Sequence, residues 1–585
     1  MKHRAIAANP ESLLCCLLAA WWLLNLVQTA FTELANDEAY YWIFAQNLDW
    51  GYFDHPPMTA LLIRLGNFIG GSLGVRFFTS ILQPLYIYIL WMLVRPPKAS
   101  LRDVWLFFLI SMAIPLMMLY GFIAVPDAPL MMFTALFLLC FKQFAAKNGK
   151  HSTLQTGWKE TLLLGVCMAA LVYSKYQAAL VVIFAFAANY HLFGKLKTYL
   201  AGAVALALTV PHLAWQYQHD WVSVLYHLVE RNSQFKFSYF SEYILNIIAV
   251  FNPLFFPLYL WGWKKTVSPI FHCHLNVSES KTANTSCAAH RAMYAITAGF
   301  IAFFLLSALR GHVQPQWIIP AAFGLIAILF NYSRQNLKLY KYVRNTAIIT
   351  IALFALLRVE MVWNPLKIKF EIFDNAKSYT QIADISKGKP VIFRGGYAIA
   401  SKYIYYTGNE AFSQTNIGNR ASQWQFLDYD THFAGRSVIV ETSPENADNT
   451  VNLANGRQFS WTVIDNFYPV SKVKIEPVSA PSSFRDGEIC MLNLNFVNPY
   501  KYDISISPTE LPLTIVWGSK TVGIREFIIG NVSFTVPAGG KITKEIQISV
   551  PEDLSGVCTL GFSLKTAKIG NWFNSKKYSV EIVRD

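Results

Sequence analysis

The stretch NDEAYYWIFAQNLDWGYFDHPP, residues 36–57, follows directly on the first long apolar run of the chain. It sets Asp37, Glu38, Asp49, Asp54 and His55 among the rings of Tyr40, Tyr41, Trp42, Trp50 and Tyr52. A connector needs only a few Gly, Ser or Asn, whereas acids packed among amphipathic aromatics at a membrane boundary have the makings of a site. Consecutive residues at a helix start project about 100° apart, so one of the Asp37–Glu38 pair can face a cavity while the other braces it. An ionised carboxylate held within reach of a hydroxyl is what general-base chemistry requires. Tyr40 and Tyr41 would line such a cavity. Beyond them, Pro56 and Pro57 stop any helix and stiffen the turn, which puts Asp54 and His55 on a rigid tip able to meet an anionic headgroup. The same two residues leave a divalent metal open, although two ligands alone make no metal signature.

Further charges lie far along the chain. Asp127, in AVPDAPLMMF, opens an apolar segment. An ionisable group at membrane depth is costly and usually marks function, although Asp at this position is also a good helix cap. Lys175, in YSKYQAALVV, sits between two apolar runs, either as a snorkelling lysine or as a phosphate-binding cation. Arg64, Arg231 in HLVERN and Arg310 in LRGHVQPQW add positive charge, and His312, Gln316 and Trp317 add polar and aromatic groups beside the last. Unit charges about 4 Å apart attract by about 4 kcal/mol at an effective dielectric of 20, four times the value in water. Cations at a shielded boundary would therefore stabilise a departing phosphate.

These residues are separated by apolar stretches that must bring them together. Spans are expected at about 12–31, 77–94, 104–122, 126–142, 161–173, 177–193, 198–214, 243–263, 293–309, 317–332 and 346–362, roughly eleven in all. YSKY divides 161–193, which is too long for one crossing of a core about 30 Å thick. Basic residues gather in alternate connectors: Arg95, Lys98 and Arg102; Lys142, Lys147, Lys150 and Lys159; Lys195 and Lys197; Lys264, Lys265, Lys281 and Arg291; Arg334, Lys338, Lys341 and Arg344. The intervening connectors hold few, Arg64 and Arg76 among them. This positive-inside asymmetry puts the amino terminus in the cytoplasm and the connectors 32–76, 122–126, 174–176, 215–242 and 310–316 on the outer side. Those connectors carry the acids and cations named above, with Asp127 at the mouth of a span, so the chemistry is expected to face outward. Much of the net charge of +14 is then topological, and no nucleic-acid partner is expected.

A chain of 585 residues, 54% hydrophobic and 14% charged, is long for one domain and apolar for a soluble protein. The apolarity ends near residue 363. The expected fold is a polytopic α-helical membrane domain over 1–364, an exported α/β segment over 365–470 and a β-sandwich-like exported domain over 471–585. In KPVIFRGGYAIASKYIYYTGN a strand precedes a helix, and VKIEPV, CMLNLNFV, LTIVWG, NVSFTVPAGGKITKEIQISV and KKYSVEIV read as strands broken by Pro and Gly turns. The tail shows no catalytic triad, Gly-rich phosphate loop or metal signature, so an accessory or recognition role is expected of it. The first apolar run is long, rich in Leu and Trp and without a small-x-small exit, and reads as an anchor rather than a signal peptide. Of eight cysteines only Cys490 and Cys558 share the tail, enough for one bridge but no framework.

Taken in order, DEAYYW, WGYFDHPP, PDAP, YSKYQAAL, PHLAWQYQHDWVSVLYHLVERN and HVQPQW resemble the motifs of the GT-C membrane glycosyltransferases. Within that fold the chain is similar to the bacterial branch related to dolichyl-phosphate-mannose–protein mannosyltransferases and to the aminoarabinose transferase acting on lipid A. The resemblance spans roughly residues 10–430, including AIASKYIYYTG and GNRASQWQF, and does not reach the sandwich. It implies an enzyme of the EC 2.4 class in the inner membrane, which moves a monosaccharide from a polyprenyl-phosphate donor to a lipid, glycan or protein acceptor by inverting displacement. By motif position it implies Asp37 as general base, Glu38 and Asp127 as its supports, and Lys175 as the contact to the donor phosphate. The chain departs from the aminoarabinose transferases at His55, where they carry lysine before the double proline, and at Ala39 and Tyr40, where Arg often follows the acidic pair. A charged His55, or Arg64, would supply the missing charge. Two other readings compete. A transporter or flippase of lipid-linked saccharide predicts internal repeats and ionisable residues deep in several spans. A scaffold whose exported sandwich binds polysaccharide predicts loss of the acidic pair.

Overall fold

Pro10 at the first helical position and Asn9, whose side chain accepts from the Glu11 N–H at 3.0 Å, start the first helix, α1 (Pro10–Phe31). The computed structural model describes residues 9–148, 157–227, 236–267, 281–479, 481–519 and 522–584, and the chain divides into two compact units, Met1–Ile368 and Lys369–Asp585.

In the first unit α1 is followed by α2 (Asn36–Gln46), α3 (Met58–Gly66), α4 (Gly71–Val94), α5 (Leu101–Met112), α6 (Pro115–Leu119), α7 (Asp127–Asn148), α8 (Trp158–Ser174), α9 (Ala178–Ala187) and α10 (Leu196–Gln218). Later helices run over Phe237–Val250, Phe256–Thr266, Lys281–Ser307, Ala322–Arg334 and Leu337–Trp363. Gly66 and Gly74 allow α3 to fold back against α4, since a Cβ on Gly66 would lie 2.0 Å from the Gly74 carbonyl oxygen. Trp91 of α4, Phe107 of α5 and Phe330 of Ala322–Arg334 meet in the core, with ring centroids 5.1 to 5.9 Å apart.

Among the described residues seven helical stretches are long and apolar enough to cross a bilayer: Pro10–Phe31, Gly71–Val94, Asp127–Lys147, Leu196–Gln218, Cys287–Ser307, Pro315–Arg334 and Leu337–Trp363. Shorter pieces stand at the remaining expected positions. Pro115 separates α5 from α6 within 104–122, Pro253 lies between Phe237–Val250 and Phe256–Thr266, and α8 and α9 have 17 and 10 residues. Leu353 and Leu356 are exposed on the last long helix, and only 22% of its apolar window is buried within the protein. An apolar face of that extent belongs against lipid. The chain is a multi-pass membrane protein.

The second unit contains a mixed sheet of β1 (Val391–Arg394), β2 (Ala411–Gln414), β3 (Arg436–Glu441), β4 (Asn449–Asn452) and β5 (Gln458–Phe467) in the order β2-β1-β3-β5-β4. β1 runs parallel to both β2 and β3, and the helix Tyr397–Thr407 makes the crossover from β1 to β2. Val391, Ile392 and Phe393 are fully buried, with Tyr403 of that helix edge-on to Phe393. The β-sandwich-like part has one sheet in the order Gly523–Ile528, Leu513–Ser519, Gly556–Thr566, Tyr578–Val583 and Ser483–Arg485, and a second of Lys541–Ser549, Ile489–Val497 and Lys474–Pro477. The strands read from the sequence fall within these sheets, except that the first part of NVSFTVPAGGKITKEIQISV forms Phe534–Val536, which pairs with Ile504–Ile506 in a separate two-stranded sheet. The central strand Gly556–Thr566 is absent from the sequence reading although Cys558, Leu560, Phe562 and Leu564 alternate with Thr559, Gly561 and Ser563, and residues 560–564 are all buried. Cys490 and Cys558 are both free and stand on strands of different sheets.

Candidate active site

Asp37 and Glu38 open α2 and face different surroundings: Asp37 is exposed and Glu38 is fully buried. Glu38 Oε1 accepts from Arg76 Nε at 2.6 Å and from the Ala124 N–H at 2.8 Å, and Oε2 accepts from Arg76 Nη2 at 2.5 Å and from the Ala35 N–H at 3.0 Å. Four bonds occupy the lone-pair sites of a carboxylate, so Glu38 has no capacity left to take a proton from a substrate. Arg76 sends its other hydrogens to the carbonyls of Thr29 at 3.2 Å, Thr32 at 2.7 Å and Glu33 at 3.0 Å. One ion pair therefore ties the end of α1, the start of α2, α4 and the segment before α7 together. Its effect is to fix the rotation of α2 and hence the direction in which Asp37 points.

Asp127 and Lys175 come from the two ends of an antiparallel hairpin, the first residue of α7 and the cap of α8. Lys175 Nζ donates to Asp127 Oδ1 at 2.8 Å, and both side chains are buried. An ammonium has three hydrogens; this bond uses one. Glu38, next to Asp37, accepts from the Ala124 N–H three residues before Asp127, which brings the start of α2 beside the start of α7 and its Lys175–Asp127 pair. The far end of the same hairpin carries Lys142, Lys147 and Lys159, with Lys147 paired to Glu160. Over the 22 residues of α7, a rise of 1.5 Å per residue separates the two ends by about 33 Å.

The DWGYFDHPP loop is held along its backbone by α10 and the turn after it. Trp215 Nε1 donates to Asp49 Oδ2 at 2.8 Å, His212 Nδ1 to the Trp50 carbonyl at 2.7 Å and Ser223 Oγ to the Tyr52 carbonyl at 2.8 Å. His227 Nε2 donates to the Asp54 carbonyl at 3.0 Å. Gly51 lies beneath the Trp215 indole, where a Cβ would come within 2.5 Å of the ring. Overpacking of this kind costs about 1–3 kcal/mol, so Gly51→Ala is expected to lower the thermal unfolding midpoint in detergent. A midpoint equal to that of the parent chain would contradict the contact. Tyr52 stacks on Phe44 at 4.2 Å and donates to the Phe44 carbonyl at 3.0 Å, and burial pushes its phenol up, which keeps the proton for that bond. His227, bonded to the Asp54 carbonyl, lies 5.4 Å from the ring of Tyr176, next to Lys175, and Gln216 donates to the Tyr176 hydroxyl at 2.9 Å.

The other residues named from the sequence are distributed as follows. Tyr40 and Tyr41 are buried; Tyr40 packs on Phe44 at 4.5 Å, and Tyr41 lies edge-on to the half-buried His55 at 5.3 Å. Arg64 is exposed on α3, with Nη1 donating to Gln46 Oε1 at 3.5 Å. His312 Nε2 lies 2.9 Å from Glu242 Oε1, and Gln316 and Trp317 both donate to Gln314 Oε1, at 3.1 and 3.0 Å. His312 and Gln316 thus bond within their own neighbourhood rather than to the first loop. Arg310 is exposed at the end of Lys281–Ser307, its N–H bonded to the Ser307 carbonyl at 2.9 Å. Arg231 lies outside the described residues. Sequence reasoning missed the partner role of Arg76 and the clamp formed by His212, Trp215 and Ser223. The only signal for Arg76 was an arginine on the side of the membrane that is otherwise poor in basic residues. Among the described residues no three or more His, Cys, Asp or Glu side chains gather as a metal cage would require.

The family model for dolichyl-phosphate-mannose-protein mannosyltransferase matches residues 54–215, which include Asp54, Asp127, Lys175, His212 and Trp215 but not Asp37. The lipid A galacturonosyltransferase RgtD of Rhizobium johnstonii is 27% identical over 260 residues, covering 41% of this chain. The chain spans about half the length of that curated relative, 51%. Among solved structures, ArnT from Cupriavidus metallidurans in the apo state superimposes with a TM-score of 0.52 at 15% identity, covering 78% of this chain and 97% of that one. The same protein bound to undecaprenyl phosphate gives 0.51 at 14% identity over the same shares.

Proposed function

We propose, from a chain that resembles the GT-C membrane glycosyltransferases in its motifs, in the family model it matches and in its fold, that this protein transfers a monosaccharide from a polyprenyl-phosphate carrier to an envelope acceptor. The observation that carries the reading is that the Glu38–Ala124 bond brings the start of α2, with the exposed Asp37, beside the start of α7 and its buried Lys175–Asp127 pair. The basic connectors at the opposite end of the α7–α8 hairpin support a non-cytoplasmic site by the positive-inside rule, with the amino terminus in the cytoplasm and the second unit outside. The solved ArnT complex holds undecaprenyl phosphate, and a carrier of that class suits a bundle whose helices present apolar faces to lipid.

In the proposed reaction Asp37 takes the proton of the acceptor hydroxyl while that oxygen attacks the anomeric carbon. The bond from this carbon to the phosphate oxygen breaks on the opposite face, the electron pair leaves with the phosphate, and the configuration inverts. Lys175 has hydrogens left beyond its bond to Asp127 with which to meet the phosphate, and Asp127 holds the ammonium in place. His55 and Arg64, on the loop and helix that follow Asp37, are assigned to the carrier headgroup. The acceptor is a lipid, glycan or protein of the envelope.

Lys175→Met is expected to raise the KM for the lipid-phosphate sugar at least tenfold, with Lys175→Arg recovering part of the loss because it keeps a cation beside Asp127. Transfer assays over a donor series in nanodiscs measure this. An unchanged donor KM in Lys175→Met would remove the phosphate assignment.

A further inference from the structure

The second unit contains a cleft of about 440 Å³ that the transfer reading does not use. One wall is built at the carboxyl ends of two parallel strands: Arg394 ends β1 and Gly395 follows it, Gln414 ends β2, and Asn416, Gly418 and Asn419 form the turn after that. Ligands of open α/β sheets bind outside the carboxyl ends of the strands. The facing wall is Ile524 and Glu526 of the sandwich strand Gly523–Ile528. Asn416 joins the walls, its Oδ1 accepting from the Gly418 N–H at 2.7 Å and its Nδ2 donating to Glu526 Oε1 at 3.4 Å. Gly418 packs against Ile524, where a Cβ would come within 3.3 Å.

The lining chemistry narrows what such a cleft takes. Ile524 is its one apolar side chain longer than a methyl group, so a lipid tail or an aromatic anchor finds little to bury against. The lining holds one guanidinium, Arg394, and one carboxylate, Glu526, which leaves no surplus charge to select a phosphate. Guanidinium, carboxamide and carboxylate groups instead offer planar donors and acceptors side by side, and vicinal hydroxyls, each donor and acceptor at once, match both kinds. Gly395, with φ of +70°, adds backbone without a side chain to obstruct approach. We infer that this cleft is a saccharide-binding site in the second unit, separate from the chemistry of the membrane unit and independent of whether that unit transfers sugar.

Saturation-transfer NMR on the full chain in lipid nanodiscs tests the inference, with maltotriose, cellotriose and trigalacturonic acid as probes. Maltoside detergents are avoided because their headgroups would compete. At least one trisaccharide is expected to receive saturation from the parent chain and equally from Asp37→Asn. In the double variant Asn419→Ala/Glu526→Gln the signal is expected to fall at least fivefold. Both side chains are exposed, so this variant should retain its fold, which near-ultraviolet circular dichroism checks. No transfer to any of the three probes overturns the site. So does a signal unchanged in the double variant, and one lost in Asp37→Asn but kept in the double variant would place the sugar in the membrane unit.

Discussion

Asp37→Asn is expected to lower turnover at least a hundredfold while leaving expression, insertion and the unfolding midpoint unchanged. General-base catalysis contributes about 10²–10⁴-fold, and a hundredfold corresponds to about 2.7 kcal/mol of transition-state stabilisation. The amide keeps the shape of the carboxylate but cannot accept the proton of the acceptor hydroxyl. Asp37 is exposed at the first turn of α2, so the exchange disturbs no core. The measurement is transfer from a labelled polyprenyl-phosphate sugar to envelope lipid at saturating donor. Turnover within threefold of the parent chain would reject Asp37 as the base. Glu38 would not then inherit the role, because its oxygens are already committed to Arg76 and to two backbone N–H groups.

The second large effect concerns that commitment. Removing one partner of a buried ion pair strands the other and costs about 3–5 kcal/mol. Glu38→Gln and Arg76→Met are each expected to lose stability of that order relative to the parent chain in the same detergent. The double variant should lose less than the sum, which a double-mutant cycle reports as coupling. Activity should fall in each single variant even where the fold survives, because α2 is no longer held at the rotation that aims Asp37. Single variants that lose less than about 1 kcal/mol would show that the Glu38–Arg76 pair does not organise this region.

Several features of this protein were legible in the chain alone, for local reasons. Hydrophobic length marked the membrane unit, and alternation of basic connectors marked which end of the bundle carries the acids, because both properties are carried by contiguous residues. The strand-then-helix of KPVIFRGGYAIASKYIYYTGN and the alternating strands of the tail are likewise patterns of near neighbours. The strand Gly556–Thr566 carries the same local alternation, Cys558, Leu560, Phe562 and Leu564 against Thr559, Gly561 and Ser563, and was missed all the same; that both its faces are buried is a matter of packing. The spans at 104–122 and 243–263 contain prolines whose effect on a helix is local, yet apolar composition concealed the break.

What the chain alone determined is the inventory: acids, cations, an aromatic loop and a bundle to carry them. Only the tertiary structure decided their division of labour. Glu38 is a brace because Arg76 lies 38 residues away and Ala124 lies 86 residues away, both delivered by helices that pack together. Lys175 meets Asp127 across 48 residues, and His212 and Ser223 reach the loop across more than a hundred and sixty. A carboxylate becomes a base or a strut according to how many donors surround it, and those donors are brought by packing between distant segments, which no local periodicity records.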